Sequence, residues 1–164
     1  MPDDNPCTSA LTVSAAAESD IPLLSGLLRA SVEGSCRHDY TPAQIEAWTG
    51  RCTGERWREL LRSDLRFLVA RSADGTPMGF ASVRADGFLH SMFVVPVFQR
   101  AGVATRLLRE AERLASAAGA VEMESEVSLT ARPFFEHSGF TVIRRQQVPV
   151  GSERLTNFVM RKKL

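Results

Sequence analysis

The sequence lacks any long apolar run. No stretch approaches the roughly 20 apolar residues that cross a lipid bilayer. The first ten residues, MPDDNPCTSA, are acidic where a signal peptide would be basic. An excess of charge of one sign is also missing, because 20 basic residues face 19 acidic ones. This composition gives no electrostatic reason to expect a nucleic acid or a membrane surface as a partner.

Cysteine is scarce as well. The three cysteines, Cys7, Cys36 and Cys52, are odd in number and scattered along the chain. That usage is typical of reduced thiols in a cytoplasmic protein rather than of a disulfide framework. Cys36 and His38 form a Cys-x-His pair, but no further ligands follow at the spacing of a zinc site. We therefore expect a cytoplasmic protein without a bound metal.

What is present is the composition of an ordinary globular protein, with 44% hydrophobic and 24% charged residues in a chain of 164. That length suits one well-buried domain, 1–164, whose residues 1–9 we interpret as a loose tail. Strand and helix patterns alternate through the middle of the chain, so we expect an α/β (α+β) fold with a mixed sheet covered by helices. The predicted strands are 10–15, 66–72, 77–85, 87–95, 121–128, 140–150 and 154–163, and the predicted helices are 21–34, 42–50, 54–63, 103–118 and 130–139.

The segment 93–108, FVVPVFQRAGVATRLL, joins an apolar strand to a helix through small residues. The first N–H groups of a helix have no partners within it, so they bind phosphate oxygens when no bulky side chain blocks them. Ala101, Gly102 and Ala104 keep that approach clear, and Arg100 adds a charged contact to a diphosphate. On this spacing alone, an ordinary strand-to-helix turn is an equally good interpretation.

Four segments, in this order and at these distances, resemble the GNAT superfamily of N-acetyltransferases. The family's Gln/Arg-x-x-Gly-x-Gly/Ala signature follows a strand that ends in an apolar-Val-x-Pro pattern. Here FVVP at 93–96 precedes QRAGVA at 99–104. SLTARPFFEHSGF at 128–140 is similar to the family's Asn-x-x-Ala-x-x-x-Tyr-Glu-x-x-Gly-Phe helix, and NFVMRKK at 157–163 suits its last strand. HDYTPAQIEAW at 38–48 resembles a bacterial branch with a Tyr-Ser/Thr-Pro-x-Gln-Ile-x-Ala-Trp segment.

The resemblance implies a three-layer fold with a central mixed, mostly antiparallel sheet of six to seven strands. This sheet is splayed between its fourth and fifth strands and flanked by about four helices. Acetyl-CoA is the implied co-substrate, with its diphosphate at the helix start and its pantetheine amides paired to the fourth strand. In this family the exposed closing strands of two copies often pair, so the resemblance is also compatible with a homodimer. The residues implied for the cofactor are Phe93, Val94, Val95, Arg100, Ala101, Gly102, Val103, Ala104, Thr105, Ser128, Ala131, Phe134 and Phe135.

Acetyl transfer to an amine needs a neutral nucleophile, a polarised thioester carbonyl and a proton for the thiolate. A lysine-like amine is neutral in about one molecule in 2,500 at pH 7, a cost of about 4.6 kcal/mol, so a base is valuable. Glu122, Glu124 and Glu126 alternate on one face of the predicted fifth strand, and Glu126 lies nearest the expected gap. A solvated face is the alternative for all three. His90, on the cofactor strand, is the second candidate base, with a structural histidine as the alternative.

The family's usual acid is missing from this chain. Its tyrosine position is Phe135, which has no proton to donate, and its asparagine position is Ser128. Either Ser128 and water protonate the thiolate, or coenzyme A leaves as the thiolate, which a thiol pKa near 8.5 makes inexpensive. An acyl-CoA-binding module without turnover is therefore the alternative to an enzyme. A nucleotide-binding domain is disfavoured, since neither Gly-x-Gly-x-x-Gly nor Gly-Lys-Ser/Thr occurs.

The acceptor, a small-molecule or peptide amine, is expected to contact the first half of the chain. His38, Asp39, Tyr40 and Trp48 supply aromatic surface and mixed charge there. Tyr40 and Trp48 also fit helix or core packing. Asp39 either selects a cationic amine or is a loop residue.

Overall fold

The computed structural model describes residues 11–164, so the predicted tail and Cys7 lie outside the described residues. Within that range the chain forms seven strands and five α-helices. The strands are β1 (Thr12–Ala15), β2 (Arg66–Arg71), β3 (Pro77–Val83), β4 (Phe88–Val94), β5 (Glu122–Ser128), β6 (Thr141–Val150) and β7 (Glu153–Lys163). The helices are α1 (Ile21–Ser35), α2 (Pro42–Thr49), α3 (Gly54–Arg62), α4 (Val103–Ala117) and α5 (Arg132–His137).

All seven strands join one sheet in the order β1-β2-β3-β4-β5-β7-β6. The pairs β1–β2, β2–β3, β3–β4, β5–β7 and β6–β7 are antiparallel, and β4–β5 is parallel. The predicted mixed, mostly antiparallel sheet is confirmed. The described residues form five helices where the resemblance implied about four, because α2 and α3 are separate helices.

The two faces of the sheet are covered by different helices, which gives three layers. On β2, Leu68 and Ala70 pack in a cluster with Leu107 and Leu108 of α4. Phe67 and its strand neighbour Val69 belong to a second cluster with α1 and α3. This alternation follows from the two-residue period of a strand, and each fully buried aliphatic or aromatic side chain contributes about 1.5–3 kcal/mol.

Two helix starts test the sequence predictions for capping. The predicted capping box at Thr41 is confirmed, because its hydroxyl accepts from the Gln44 N–H at 3.2 Å and the Gln44 side chain accepts from the Thr41 N–H at 2.9 Å. The predicted Ser19-Asp20 side-chain cap is wrong. The Asp20 carboxylate accepts from the Ala17 N–H at 2.8 Å and pairs with Arg71 at 3.3 Å. Tertiary pairing thus takes the carboxylate away from the start of α1.

A third cluster holds the first half of the chain against the closing hairpin β6–β7. It joins Val32 and Cys36 of the α1 end to Val150 and Leu155 of the hairpin. Tyr40 belongs to this cluster and donates its hydroxyl proton to the Thr156 carbonyl at 2.6 Å. The end of α1 and the loop that follows it therefore pack against the hairpin β6–β7. In the described part of the chain, no helix is both long and apolar enough to cross a membrane.

Candidate active site

The strands β4 and β5 touch at one end only. Their parallel pairing covers two positions, Phe88–Glu124 and Leu89–Ser125. At the second position the buried Ser125 hydroxyl donates to the Leu89 carbonyl at 2.8 Å. Beyond it the strands diverge, while β5 keeps its pairing with β7 over seven positions. The predicted splay between the fourth and fifth strands is confirmed.

A cavity of about 320 Å³ occupies this gap. Residues 90–93 of β4 and 125–128 of β5 form two of its walls. The segment from Trp48 to Leu60, which includes α3, forms a third wall, and the hairpin β6–β7 closes the fourth. The three predicted catalytic residues, His90, Glu126 and Ser128, all line it.

His90 is held by a buried serine of the neighbouring strand. Its Nδ1 lies 3.2 Å from the Ser82 hydroxyl. His90 is exposed, but its pKa is lowered from 6.5, first because neighbouring atoms displace part of the water around the ring and next because of the positive charge of Arg56. Glu126 opposes this shift, and Arg51 and Arg84 add to it. The imidazole is therefore neutral at pH 7, the form that accepts a proton.

Glu126 differs from the two other glutamates of β5. Glu122 and Glu124 both pair with Arg161, at 3.6 Å and 2.7 Å, away from the cavity. The carboxylate of Glu126 accepts from the Gln146 amide at 3.1 Å and lines the cavity. Of the three, Glu126 is the carboxylate placed to reach an acceptor.

Ser128 ends β5 and lies opposite Asn157 of β7. Its hydroxyl oxygen accepts from the Ala131 N–H at 3.0 Å, so its proton is still available. Asn157 also lines the cavity, and its Oδ1 is buried without a hydrogen-bond partner among residues 11–164. Asn157 was not predicted from the sequence, because only the strand register brings it beside Ser128. Phe135 is buried in the same wall, with its ring centroid 5.0 Å from that of Phe140.

The backbone of β4 presents alternate residues to the gap. The Val95 N–H donates to the Met78 carbonyl of the β3 side at 3.0 Å. Because antiparallel pairing alternates, Phe93 also faces β3, while the N–H groups of Met92 and Val94 face β5. Val94 is thus placed to pair with an added strand, whereas the amide of Val95 is engaged. Met92 was not among the predicted cofactor residues, although the period of two would have indicated it.

The start of α4 fits a diphosphate. Gly102 occupies the N-cap position with φ of 79°, and no side chain of the described residues caps the helix there. The first helical hydrogen bond runs from the Arg106 N–H to the Gly102 carbonyl at 3.0 Å. The N–H groups of residues 103–105 therefore precede the helical bonding pattern. Arg100 has a φ of 61° in the same loop, a conformation that costs an L-residue about 1–2 kcal/mol.

Some of the other residues predicted for the cofactor line the cavity, and the rest lie at the end of β4 and the start of α4. Phe93, Ala131 and Phe135 line the cavity together with Ser128. Phe134 packs beside Phe135, with ring centroids 5.6 Å apart. The remaining residues lie outside the cavity wall, at the end of β4 and in the loop and first turn of α4: Val94, Val95, Arg100, Ala101, Gly102, Val103, Ala104 and Thr105.

Of the four residues predicted for the acceptor, two line the cavity and two do not. Tyr40 and Trp48 line the cavity, with ring centroids 5.6 Å apart. The Tyr40 hydroxyl also accepts from the Leu129 N–H at 2.9 Å, and burial raises its pKa to about 12, so this phenol stays protonated and positions the segments around it. His38 and Asp39 are exposed and outside the cavity wall. The Asp39 carboxylate accepts from the Thr130 hydroxyl at 2.8 Å.

The wall formed by α3 and the connection before it was not predicted from the sequence. Arg51, Cys52, Arg56, Trp57 and Leu60 line the cavity from this side. No motif marks these residues, because the face of α3 that meets the gap depends on how the helix packs over Phe67 and Phe80.

A sheet parted between two parallel strands, beside an uncapped helix start, is the arrangement that the resemblance to the GNAT superfamily of acyl-CoA-dependent transferases implied. The sequence model described as "Acetyltransferase (GNAT) domain" matches residues 36–164. The chain therefore belongs to the GNAT family of acetyltransferases, which depend on acetyl-CoA, and the predicted family is confirmed.

Individual relatives agree with this assignment. The chain is 33% identical over 144 residues to the uncharacterized N-acetyltransferase YafP of Escherichia coli K12, a match that covers 88% of this chain and 90% of the relative. A GCN5-related N-acetyltransferase from Rhodopseudomonas palustris is 28% identical with a TM-score of 0.89, covering 94% of this chain and 96% of that one. The PaiA N-acetyltransferase from Thermoplasma acidophilum, solved with coenzyme A, has a TM-score of 0.78 at 24% identity, covering 94% and 99%. At 24% identity, the similarity to the PaiA N-acetyltransferase shows only that the two chains share a fold.

Proposed function

We propose that this chain transfers the acetyl group of acetyl-CoA to a primary amine of a small molecule or peptide, by direct attack while both substrates are bound. The observation that carries the proposal is the cavity of about 320 Å³ between β4 and β5. It contains both candidate bases, and it lies along a strand whose outward amides are free on the β5 side.

Acetyl-CoA supplies the activated acetyl thioester. The N–H groups of Val103, Ala104 and Thr105 would hold its diphosphate, because they lie at the positive end of the α4 dipole. The backbone of Val94 and Met92 would pair with the amides of the pantetheine arm, which need partners once water is excluded. The PaiA N-acetyltransferase, which has the same fold, was solved with coenzyme A, and this supports coenzyme A as the type of ligand.

His90 and Glu126 are the proposed bases for the amine proton. When the Nδ1–H of His90 donates to the Ser82 hydroxyl, Nε2 keeps a free lone pair for that proton. Glu126 lies on the opposite strand, so the two candidates face the amine from both sides of the gap. Removing the proton matters most for alkyl amines, whose neutral fraction at pH 7 is small.

Two further groups would act on the thioester. The N–H of Val94 or of Met92, whichever does not pair with the pantetheine arm, would polarise its carbonyl as a main-chain donor fixed by the β3–β4 pairing. The Ser128 hydroxyl would donate toward the departing sulfur, since its oxygen is oriented by the Ala131 N–H. Phe135 supplies no proton, and this single feature favours the alternative of an acyl-CoA-binding module without turnover.

Two assays separate these functions. Coenzyme A at about 100 times its dissociation constant should stabilise the fold by about 2.7 kcal/mol in thermal unfolding, whereas NAD and ATP should not. Stabilisation by NAD or ATP alone would favour a nucleotide-binding domain. Thiol release from acetyl-CoA is then followed over a panel of alkyl amines, amino acids, diamines and peptides. Release with at least one amine supports the transferase, and binding without release on any amine supports the module.

A further inference from the structure

The α3 side of the cavity holds two arginines that form no close ion pair with any residue in the range 11–164. Arg51, in the connection between α2 and α3, and Arg56, in the first turn of α3, both line the cavity. Neither side chain makes an ion pair or a hydrogen bond with any residue in the range 11–164. Arg58 and Arg62 on the same helix behave differently, since both contact Glu18, at 3.9 Å and 3.7 Å.

This pair of cations is electrostatically unfavourable in the free protein. Arg56 is half-buried, and its pKa is lowered from 12.5, first by burial and next by the charge of Arg51; the negative charge of Glu59 on the same helix opposes this shift only in part. Two guanidinium groups that repel each other at the edge of a cavity are stabilised when an anion binds between them. The planar fork of a guanidinium matches a carboxylate in particular, through paired N–H···O bonds.

The opposite wall has the opposite charge. Glu126 lies across the gap on β5, and His90 lies where the fields of Arg56 and Glu126 act on its ring in opposite directions. A molecule with an ammonium at one end and a carboxylate at the other matches both walls. Bound that way, its amine is directed to Glu126 and His90, the candidate bases.

The size of the cavity favours a small acceptor. A volume of about 320 Å³ is near the lower limit for ligand pockets in proteins, about 300 Å³, and the acetyl group takes part of it. This space suits a small molecule better than a peptide segment. A diamine of similar size would bring a second positive charge toward the two arginines.

We propose that the acceptor is a small amino acid, an amine whose carboxylate binds between Arg51 and Arg56. This inference rests on the proposed acetyltransferase function and narrows its substrate class. It assigns to the α2–α3 connection and to α3 the recognition of the acceptor's acid group.

Matched amines test the charge requirement. Amino acids with one, two and three carbons between amine and carboxylate are each compared with the alkylamine and the diamine of the same length. We expect kcat/KM for the preferred amino acid to exceed that of its alkylamine by at least about tenfold, and that of its diamine by more. Faster turnover of the aminoalkylphosphonate of that length would also support an acid-group site, with phosphonate as the anion. Equal rates for all three matched amines, or a preference for diamines or peptides, would overturn the inference and leave the transferase function intact.

Variants at the two arginines test where the acid group binds. Arg56→Gln and Arg51→Gln should each raise KM for the preferred amino acid about tenfold or more, with kcat within about twofold, because they remove binding common to ground state and transition state. The KM of the alkylamine should not change. Arg58→Gln, on the same helix but paired with Glu18, is the matched control and should behave like the unmodified protein. Stabilisation by coenzyme A, measured for each variant, verifies that the fold is intact.

A direct binding measurement distinguishes failure of the proposed acid-group site from failure of the proposed transferase function. Calorimetry titrates the same amino acid and alkylamine into the protein saturated with coenzyme A. If the amino acid binds and Arg56→Gln weakens that binding about tenfold, the acid-group site is supported. This holds even when no amine is turned over, because the absence of turnover would remove only the transferase function. Equal binding of the amino acid to the unmodified protein and both arginine variants would contradict the inference.

Discussion

The two sides of the cavity are built in different ways. The cofactor side consists of β4, the loop after it and the start of α4, which are consecutive in the chain at residues 88–117. The acceptor side combines α2, α3, the end of β5 and the hairpin β6–β7, which are far apart in sequence. The cofactor side offers main-chain N–H groups, whereas the acceptor side offers side chains such as Arg56 and Glu126. A site made of consecutive backbone leaves a local signature, and a site made of scattered side chains does not.

The largest expected effect concerns the base, which is either His90 on the cofactor side or Glu126 on the acceptor side. His90→Ala or Glu126→Gln, whichever removes the base, should lower kcat/KM by about 10²–10⁴. The decline of kcat/KM toward acid pH, which reports protonation of the base, should disappear in that variant. Glu124→Gln is the matched control, because Glu124 pairs with Arg161 outside the cavity. Unchanged pH–rate profiles in both variants would exclude both residues as the base.

The next effect tests the cofactor side through its charge. Gly102→Asp and Gly102→Asn place side chains of similar size at a position with φ of 79°, which both residues adopt more readily than most. Only aspartate adds a negative charge beside the proposed diphosphate. We expect Gly102→Asp to bind coenzyme A about 100-fold more weakly than Gly102→Asn in calorimetry. Equal affinities of the two variants would show that the diphosphate does not bind at the start of α4.

A smaller effect is expected at Ser128, where the two sides meet. Ser128→Ala should lower kcat about tenfold, because it removes a proton donor near the sulfur. It also removes the acceptor for the Ala131 N–H, which costs about 1 kcal/mol of stability. Ser128→Thr keeps the hydroxyl and should retain both kcat and thermal stability. A normal kcat in Ser128→Ala would remove this residue from the mechanism.

A substitution at Phe135 is expected to leave kcat almost unchanged. Phe135→Tyr should keep kcat within about threefold, because the Ser128 hydroxyl already donates toward the departing sulfur in the proposed mechanism and no phenolic acid is needed at this position. The measurement is steady-state thiol release at saturating amine. Loss of activity in Phe135→Tyr would mean that the buried ring contact with Phe140 is required in its present form.

The smallest effect tests the opposed charges of the two walls. Arg56→Gln should raise the pKa of His90 and Glu126→Gln should lower it, since the two charges act on the ring in opposite directions. Because the folded-state pKa of His90 lies below its unfolded value of 6.5, acidification from pH 6.5 through the folded-state pKa should lower the free energy of unfolding. NMR titration of the ring protons measures the pKa. Shifts of the same sign in both variants would contradict the placement of His90 between the walls.

The sequence predicted the fold well where one residue pattern carries the information. The alternation of β5 was visible in its letters, and Met123, Ser125 and Val127 are buried as that period requires. The capping box at Thr41 was visible for the same reason. Asp20 shows the limit, because its carboxylate pairs with Arg71 of a distant strand and leaves the helix it precedes uncapped.

The candidate site was predictable in part. Gly102 was found because the start of α4 depends on one glycine and its small neighbours. Asn157 and Arg56 were not found, since their positions depend on the β5–β7 register and on the packing of α3 against the sheet. Their roles became visible only once the gap between β4 and β5 had been located.

Residue-resolved hydrogen exchange with and without coenzyme A tests the central claim most directly. We expect saturating coenzyme A to slow exchange at the amides of Val94, Val103, Ala104 and Thr105, the free donors at the end of β4 and the start of α4. Slowed exchange elsewhere in the chain with these four amides unchanged would contradict the binding of coenzyme A in the gap between β4 and β5.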